Sequence, residues 1–269
     1  MTTPNPPALM SVHKTIRAAT LRTIGALVLR EMSVTYGRAP GGYIWIVLEP
    51  VLGIALLSAI FSLGFRSPRL GDNFPMFYAT GILPFVLFND ISARVANSIN
   101  FSRSLLNYPR VTFIDAMVAR LVLAILSQLL VTYIILVGIQ MIWDTRTTLE
   151  IGRVLMAISM AIVLGMGVGS LNCFLFTMFP LWQRAWVILT RPLFLVSGIL
   201  ILYESLPETI RHWFWWNPLM HVTGEMRGAF YLEYEATYVS YAYVFACGMI
   251  PLVLGLLFLR QYHRDMLER

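Results

Sequence analysis

Residues 29–50 read LREMSVTYGRAPGGYIWIVLEP, a basic amphipathic segment that turns at Gly41-Gly42 and runs directly into an apolar span. Glu49 and Pro50 lie about two turns inside that span. A carboxylate at such depth is costly in hydrocarbon, so it faces protein or water, and its default reading is functional. The competing reading is a structural carboxylate satisfied by a neighbouring helix.

Working outward, the chain has the composition of a polytopic membrane protein. Hydrophobic residues make up 58% of it and charged residues only 13%, and its mean hydropathy is +0.70. Apolar runs of about 20 residues are each long enough for a ~30 Å hydrocarbon core. The N-terminus, MTTPNPPALMSVHK, is polar and proline-rich with no apolar core, so no cleaved signal peptide is expected.

Six spans are expected, over 43–65, 74–95, 117–143, 154–179, 186–203 and 241–259, within an all-α membrane domain of 43–259. Six crossings put both termini on one side. Fourteen of the 20 basic residues then fall on the side of the termini, which makes that side cytoplasmic by the positive-inside rule. The net charge of +6 thus reflects topology, and no nucleic-acid partner is implied.

The remaining pieces are a cytoplasmic N-terminus (1–42), a cytoplasmic tail (260–269) and two connections. In the N-terminus, Ile24, Leu27, Val28 and Met32 recur at helical spacing. They suit an amphipathic helix in the membrane interface, or else a solvated helix packed on the cytoplasmic mouth. Between spans two and three, a short helix over about 98–109 stops at Tyr108-Pro109, because proline disfavours helix at the residue before it. It is a docking element for a motor subunit or an ordinary loop. The segment 204–240 holds Trp213, Phe214, Trp215 and Trp216 before Asn217-Pro218. Two short re-entrant helices fit there, since broken helices are tolerated where protein or a water-lined cavity satisfies their backbone. An aromatic belt at the headgroups also fits.

Several classes are excluded or left without support. Lys14 is the only lysine and no glycine-rich loop precedes it, so the phosphate loop of a nucleotide hydrolase is absent. The four histidines are scattered and no metal-ligand spacing appears. Cys173 and Cys247 lie in apolar spans as small packing residues. Gly165 and Gly169 are spaced for close helix approach in the fourth span. Arg191, before Pro192 in the fifth span, either faces a polar path or snorkels to the interface.

The chain resembles the transmembrane subunits of ABC-2 type exporters, and specifically the permeases of Gram-negative capsular-polysaccharide export. The resemblance rests on LREMSVTYGRAPGGYIWIVLEP, FPMFYATGILPFVLFNDIS, LLNYPRVTFIDAMVAR and WNPLMHV. Its most specific pattern is Tyr36, Gly37 and Arg38 followed by Gly42, Tyr43, Trp45, Glu49 and Pro50. Tyr108-Pro109-Arg110 departs from it, where a basic residue before the proline is expected, and the stretch between the first two spans is shorter.

This resemblance implies a type V exporter-like fold and a non-enzymatic permease in the bacterial inner membrane. It implies a homodimer bound to two ATPase subunits, which would hold the ATP and Mg, with no cofactor in this chain. The substrate implied is a glycolipid-anchored polysaccharide, handed on to periplasmic and outer-membrane partners. Export of O-antigen or teichoic-acid glycolipids is the alternative, and a membrane-embedded enzyme acting on lipid-linked sugars the second. On this basis Tyr36, Arg38, Tyr43, Trp45, Glu49 and Arg191 are expected at the substrate canal. Arginine offers a fork of donors to sugar-acid carboxylates or lipid phosphate. Ser102, Arg103, Leu106, Tyr108 and Arg110 are expected to couple to the ATPase, and Trp213, Trp216, Asn217 and Pro218 to form a periplasmic gate.

Overall fold

Apolar runs leave a chain one local solution in hydrocarbon, because each backbone N–H and C=O has to pair within its own segment. The computed structural model describes residues 16–36, 42–106 and 112–268, and every regular element among them is helical. In order these are α1 (Ile16–Tyr36), α2 (Gly42–Gly64), α3 (Phe74–Ala96), α4 (Ser98–Leu106), α5 (Phe113–Ile142), α6 (Ile151–Met178) and α7 (Pro180–Val196). After a 3-10 turn at Tyr203–Ser205 come α8 (Glu208–Trp215), α9 (Pro218–Gly228) and α10 (Tyr241–Glu268).

Five of these, α2, α3, α5, α6 and α10, are long and apolar enough to cross a membrane. The helix expected over 186–203 is displaced. It starts at Pro180, where proline's fixed φ suits the first helical turn, and ends at Val196 after 17 residues. That is about 26 Å at 1.5 Å per residue, just under a ~30 Å core. The apolar run continues through Leu200, Ile201 and Leu202, but Gly198 takes φ +77° and ends the helix. A side chain there would meet Met220 Sδ at 2.5 Å and Thr223 Oγ1 at 2.8 Å, so close packing against α9 requires glycine as well.

Helix α3 is the centre of the bundle, packed against α2, α5, α6 and α9, while α6 lies between α3 and α10. Within its most apolar window α3 is 72% buried, against 11% for α2, and no residue of α7 is buried. The core is therefore α3, α5, α6 and the buried α9, with α10 packed on α6 and with α2 and α7 on the outside.

Helix α6 makes two close approaches from two faces. A Cβ on Gly165 would sit 2.9 Å from Ile91 Cβ, and one on Gly169 would sit 2.8 Å from Val95 Cβ, so these two glycines admit α3. Gly167 points the other way. A Cβ there would overlap the Gly248 carbonyl, 2.8 Å from its carbon, so Gly167 admits α10. The G-x-x-x-G pair and the glycine between them thus serve different neighbours.

Local sequence sets the helix starts. Thr112 and Asp115 form a capping box that starts α5 at Phe113, four residues ahead of the first apolar window. Asn73 caps α3 through Met76 N, and Asn217 caps α9 with Pro218 at its first turn.

Candidate functional site

Two polar nodes hold the ends of the bundle, and each is built around a buried arginine. At the end carrying α1 and α4, Arg120 of α5 donates from Nε to Glu31 Oε1 of α1 at 2.5 Å. Its Nη1 donates to Asn97 O at 2.9 Å and Arg94 O at 3.3 Å, where α3 ends. The guanidinium also lies 4.3 Å from the Phe101 ring of α4. Glu31 and Arg120 are 4% and 9% exposed, so the pair is out of water. Close by, the Ser98 hydroxyl is 3.4 Å from Cys173 Sγ of α6, and Asp90 pairs with Arg94 at 2.8 Å.

Ile24, Leu27, Val28 and Met32 are half-buried, and α1 packs on α5. Leu29 remains outside, 69% exposed.

At the opposite end, α9 closes the open terminus of α7. A helix leaves its last carbonyls without intrahelical partners, and side chains of α9 reach the last of these and the turn that follows it. Asn217 Nδ2 donates to Val196 O at 2.9 Å, Thr223 Oγ1 to Ser197 O at 2.8 Å, and Arg227 Nη2 to Ile199 O at 2.9 Å. Arg227 is 1% exposed, with its guanidinium 4.2 Å from the Phe77 ring of α3. Burial works against its charge, and Tyr234, Tyr238, Tyr231 and Glu204 support it. No carboxylate lies within ion-pair distance of it among the described residues. The Ile199 carbonyl, in the turn that follows α7, and an aromatic face answer it instead. Gly81 makes room for this contact, since a Cβ there would lie 3.3 Å from Arg227 Nη2.

The same end carries further polar fastenings. Arg153 of α6 pairs with Glu225 at 3.4 Å and donates to Gly228 O at 2.9 Å. His221 Nδ1 accepts from Ser240 N at 3.2 Å, which leaves Nε2 as the donor to Trp215 O at 2.8 Å and the ring neutral. Burial holds its pKa below the ordinary value of 6.5. Tyr234 donates to Glu204 at 3.1 Å, and burial pushes the Tyr231, Tyr234 and Tyr238 hydroxyls far up.

The residues singled out from sequence fall in several places. Trp45 and Glu49 are both exposed on one face of α2, a turn apart, while Pro50 is buried. Arg191 is exposed on α7 in line with Val187 and Leu195. Among the described residues neither Glu49 nor Arg191 has a hydrogen bond or an ion pair. Arg38, Tyr108 and Arg110 lie outside the described residues, as do the side chains of Tyr36, Tyr43, Arg103 and Leu106. Ser102 is 3% exposed and faces the protein interior. Trp213 and Trp216 are exposed, whereas Asn217 and Pro218 are half-buried at the α7–α9 junction.

Sequence reasoning missed Glu31, Arg120, Thr223 and Arg227 as functional candidates. Their available signal was charge next to or inside apolar segments. Among the described residues no group of three or more His, Cys, Asp or Glu could hold a metal ion. The chemistry on view is therefore that of a scaffold with fastened ends and two exposed outer helices that carry Trp45, Glu49 and Arg191.

Comparison with known proteins gives this arrangement a setting. The profile of the ABC-2 type transporter family matches residues 22–231. The chain is 33% identical over 248 residues to the polysialic acid transport protein KpsM of Escherichia coli, covering 91% of this chain and 95% of that one. It is 26% identical to the capsule polysaccharide export inner-membrane protein CtrC of Neisseria meningitidis serogroup A, over 92% and 95% of the two chains. It is 23% identical to the capsule polysaccharide export inner-membrane protein BexB of Haemophilus influenzae, over 90% and 92%.

Proposed function

The chain belongs to the ABC-2 type transporter family, and from that premise we propose that it is the permease subunit of an ATP-driven exporter of glycolipid-anchored capsular polysaccharide. The observation that carries this reading is the similarity, over nine-tenths or more of each chain, to a polysialic acid transport protein and to two capsule polysaccharide export inner-membrane proteins. Membership of a transporter family sets aside the membrane-enzyme reading.

In this reading the protein sits in the bacterial inner membrane as a homodimer. Two separate ATPase subunits supply the phosphate loop that the chain lacks, together with ATP and Mg. Helix α7, with the residues that follow it, completes a sixth crossing, so that both termini are cytoplasmic. The excess of basic residues on that side supports this. The α1–α4 end then faces the ATPases, and α8 and α9 form re-entrant helices on the periplasmic side, where further export partners receive the polymer.

The canal lies between the two copies. Trp45 and Glu49 on α2 and Arg191 on α7 occupy faces that one chain leaves uncovered, and a polar residue on such a face requires water or protein opposite it. A water-lined canal supplies both. Trp45, with Tyr36 and Tyr43, offers flat contacts along which sugar rings slide, and Arg38 and Arg191 meet the anionic groups of the polymer. Trp45→Ala and Arg38→Ala variants that assemble with the ATPase are expected to export more slowly, and normal export by both would remove them from the canal.

The decisive experiment is deletion of the gene. Capsular polymer should collect inside the cell and vanish from its surface, with recovery when the chain is supplied again. A deletion strain with no internal polymer would overturn the reading.

A further inference from the structure

The Glu31–Arg120 pair is an unusual choice for stability alone. Two charges taken out of water recover their lost solvation only with excellent geometry, and well-packed apolar residues of the same volume often serve as well or better. What an apolar pair cannot supply is a directional link among several backbone segments, which is what Arg120 makes. Its Nε holds Glu31 of α1, and its Nη1 holds the carbonyls of Arg94 and Asn97 where α3 gives way to α4. The face of the same guanidinium meets Phe101 within α4. A planar group with donors in a fixed fork can serve these partners at once, and a lysine ammonium on a flexible stem cannot. The root of α4 is also tied to α6 through Ser98 and Cys173, while Asn100 remains exposed.

We propose that the buried Glu31–Arg120 pair is the positioning contact that makes α1 and α4 move as one body, so that a push on α4 from outside the permease also turns α1. The proposal rests on the reading of the chain as an ATP-driven permease and adds to it a named route for force inside the protein. Arg120 touches neither substrate nor nucleotide here; it acts by setting where α1 stands relative to α4.

The test uses the permease–ATPase complex in membrane vesicles, with polymer exported per ATP hydrolysed as the readout. Glu31→Gln removes the charge and keeps the shape, and Arg120→Lys keeps the charge and loses the fork. Each is expected to lower that ratio about tenfold, inside the ~5–150-fold range of coupling between sites. A merely structural brace would lower hydrolysis and export together and leave the ratio unchanged, which would overturn the proposal. A second measurement does not depend on these variants folding. Spectroscopic labels carried by non-natural amino acids at exposed Ser33 and Asn100 report the separation of α1 and α4 in the otherwise natural complex. That separation should hold between the nucleotide-free and ATP-trapped states. A change beyond the ~1–2 Å of an ordinary helix shift overturns the proposal. Failure of the natural complex to move any polymer would strike instead at the functional reading on which it rests.

Discussion

Among the described glycines an added side chain has least room at Gly167, so Gly167→Ala gives the most demanding prediction. The added Cβ would overlap the Gly248 carbonyl, lying 2.8 Å from its carbon and 3.0 Å from its Cα, where 3.4–4 Å is ordinary contact. The opposing atoms are backbone, so no rotamer change relieves them and α6 and α10 have to separate. Overpacking of this kind costs about 1–3 kcal/mol, and the blocked relaxation puts Gly167 near the top of that range. Replacing glycine by alanine inside a helix returns about 0.8–1 kcal/mol. The net loss is about 2 kcal/mol, or a fall in apparent Tm of about 4–8 °C for a chain of this size. Gly138→Ala is the internal control. It makes the same chemical change within α5, nothing lies within 4 Å of its added Cβ, and only the gain of about 0.8–1 kcal/mol should remain. The assay is the fraction of monodisperse permease left after heating in detergent. Equal melting of the two variants, or Gly167→Ala above the parent, would refute the reasoning.

Other predictions concern the α7–α9 junction. Arg227→Met should cost about 2–3 kcal/mol, because it leaves the Ile199 carbonyl without its charged donor, and the same heating assay reads the loss. Asn217→Ala removes both the α9 cap, typically worth ~1 kcal/mol, and the donor to Val196 O; its loss should therefore exceed that of an ordinary cap. Burial holds the His221 pKa below 6.5, so the unfolded chain takes a proton that the folded one resists. The stability tied to the neutral ring is complete above pH 6.5 and is lost as the pH falls below it. The apparent Tm of the parent should drop from about pH 7.5 to about pH 5 more steeply than that of His221→Gln, and parallel curves would refute the assignment.

The membrane class was legible in hydropathy alone, because long apolar runs have one backbone solution in lipid. Helix ends were legible only where a side chain announces them. Thr112 and Asp115 carry a capping pattern, yet apolar windows pass over it because both residues are polar. The end of α7 was hidden for the opposite reason. Leu200, Ile201 and Leu202 continue the apolar run, and the break is imposed by Gly198 and by packing against α9. Of the two arginine nodes, neither could be read from the sequence. Glu31 and Arg120 are 89 positions apart, and Arg227 answers backbone carbonyls, which leave no trace in residue identity. Gly165 and Gly169 announced a close approach, but nothing in their spacing says that Gly167 faces α10.

The two nodes solve the same problem at opposite ends. A helix that stops within or beside a membrane strands carbonyls that water does not reach, and the α3–α4 break and the end of α7 are two such stops. At each, a buried guanidinium from another helix donates to a carbonyl at or just beyond the stop while its face meets a phenylalanine ring. Glu31 is the one difference. Arg227 has no ion-paired carboxylate among the described residues, and its carbonyl and aromatic contacts seal α9 to the turn after α7. Arg120 shares its charge with a carboxylate on a separate helix, which makes the position of α1 conditional on that contact. Between the nodes, glycine contacts bring α6 against α3 and α10 with no room to slide. Movement in a transport cycle is therefore expected in the outer helices α2 and α7, with α1 and α4 carried through Arg120 on the block formed by α3, α5, α6 and α10.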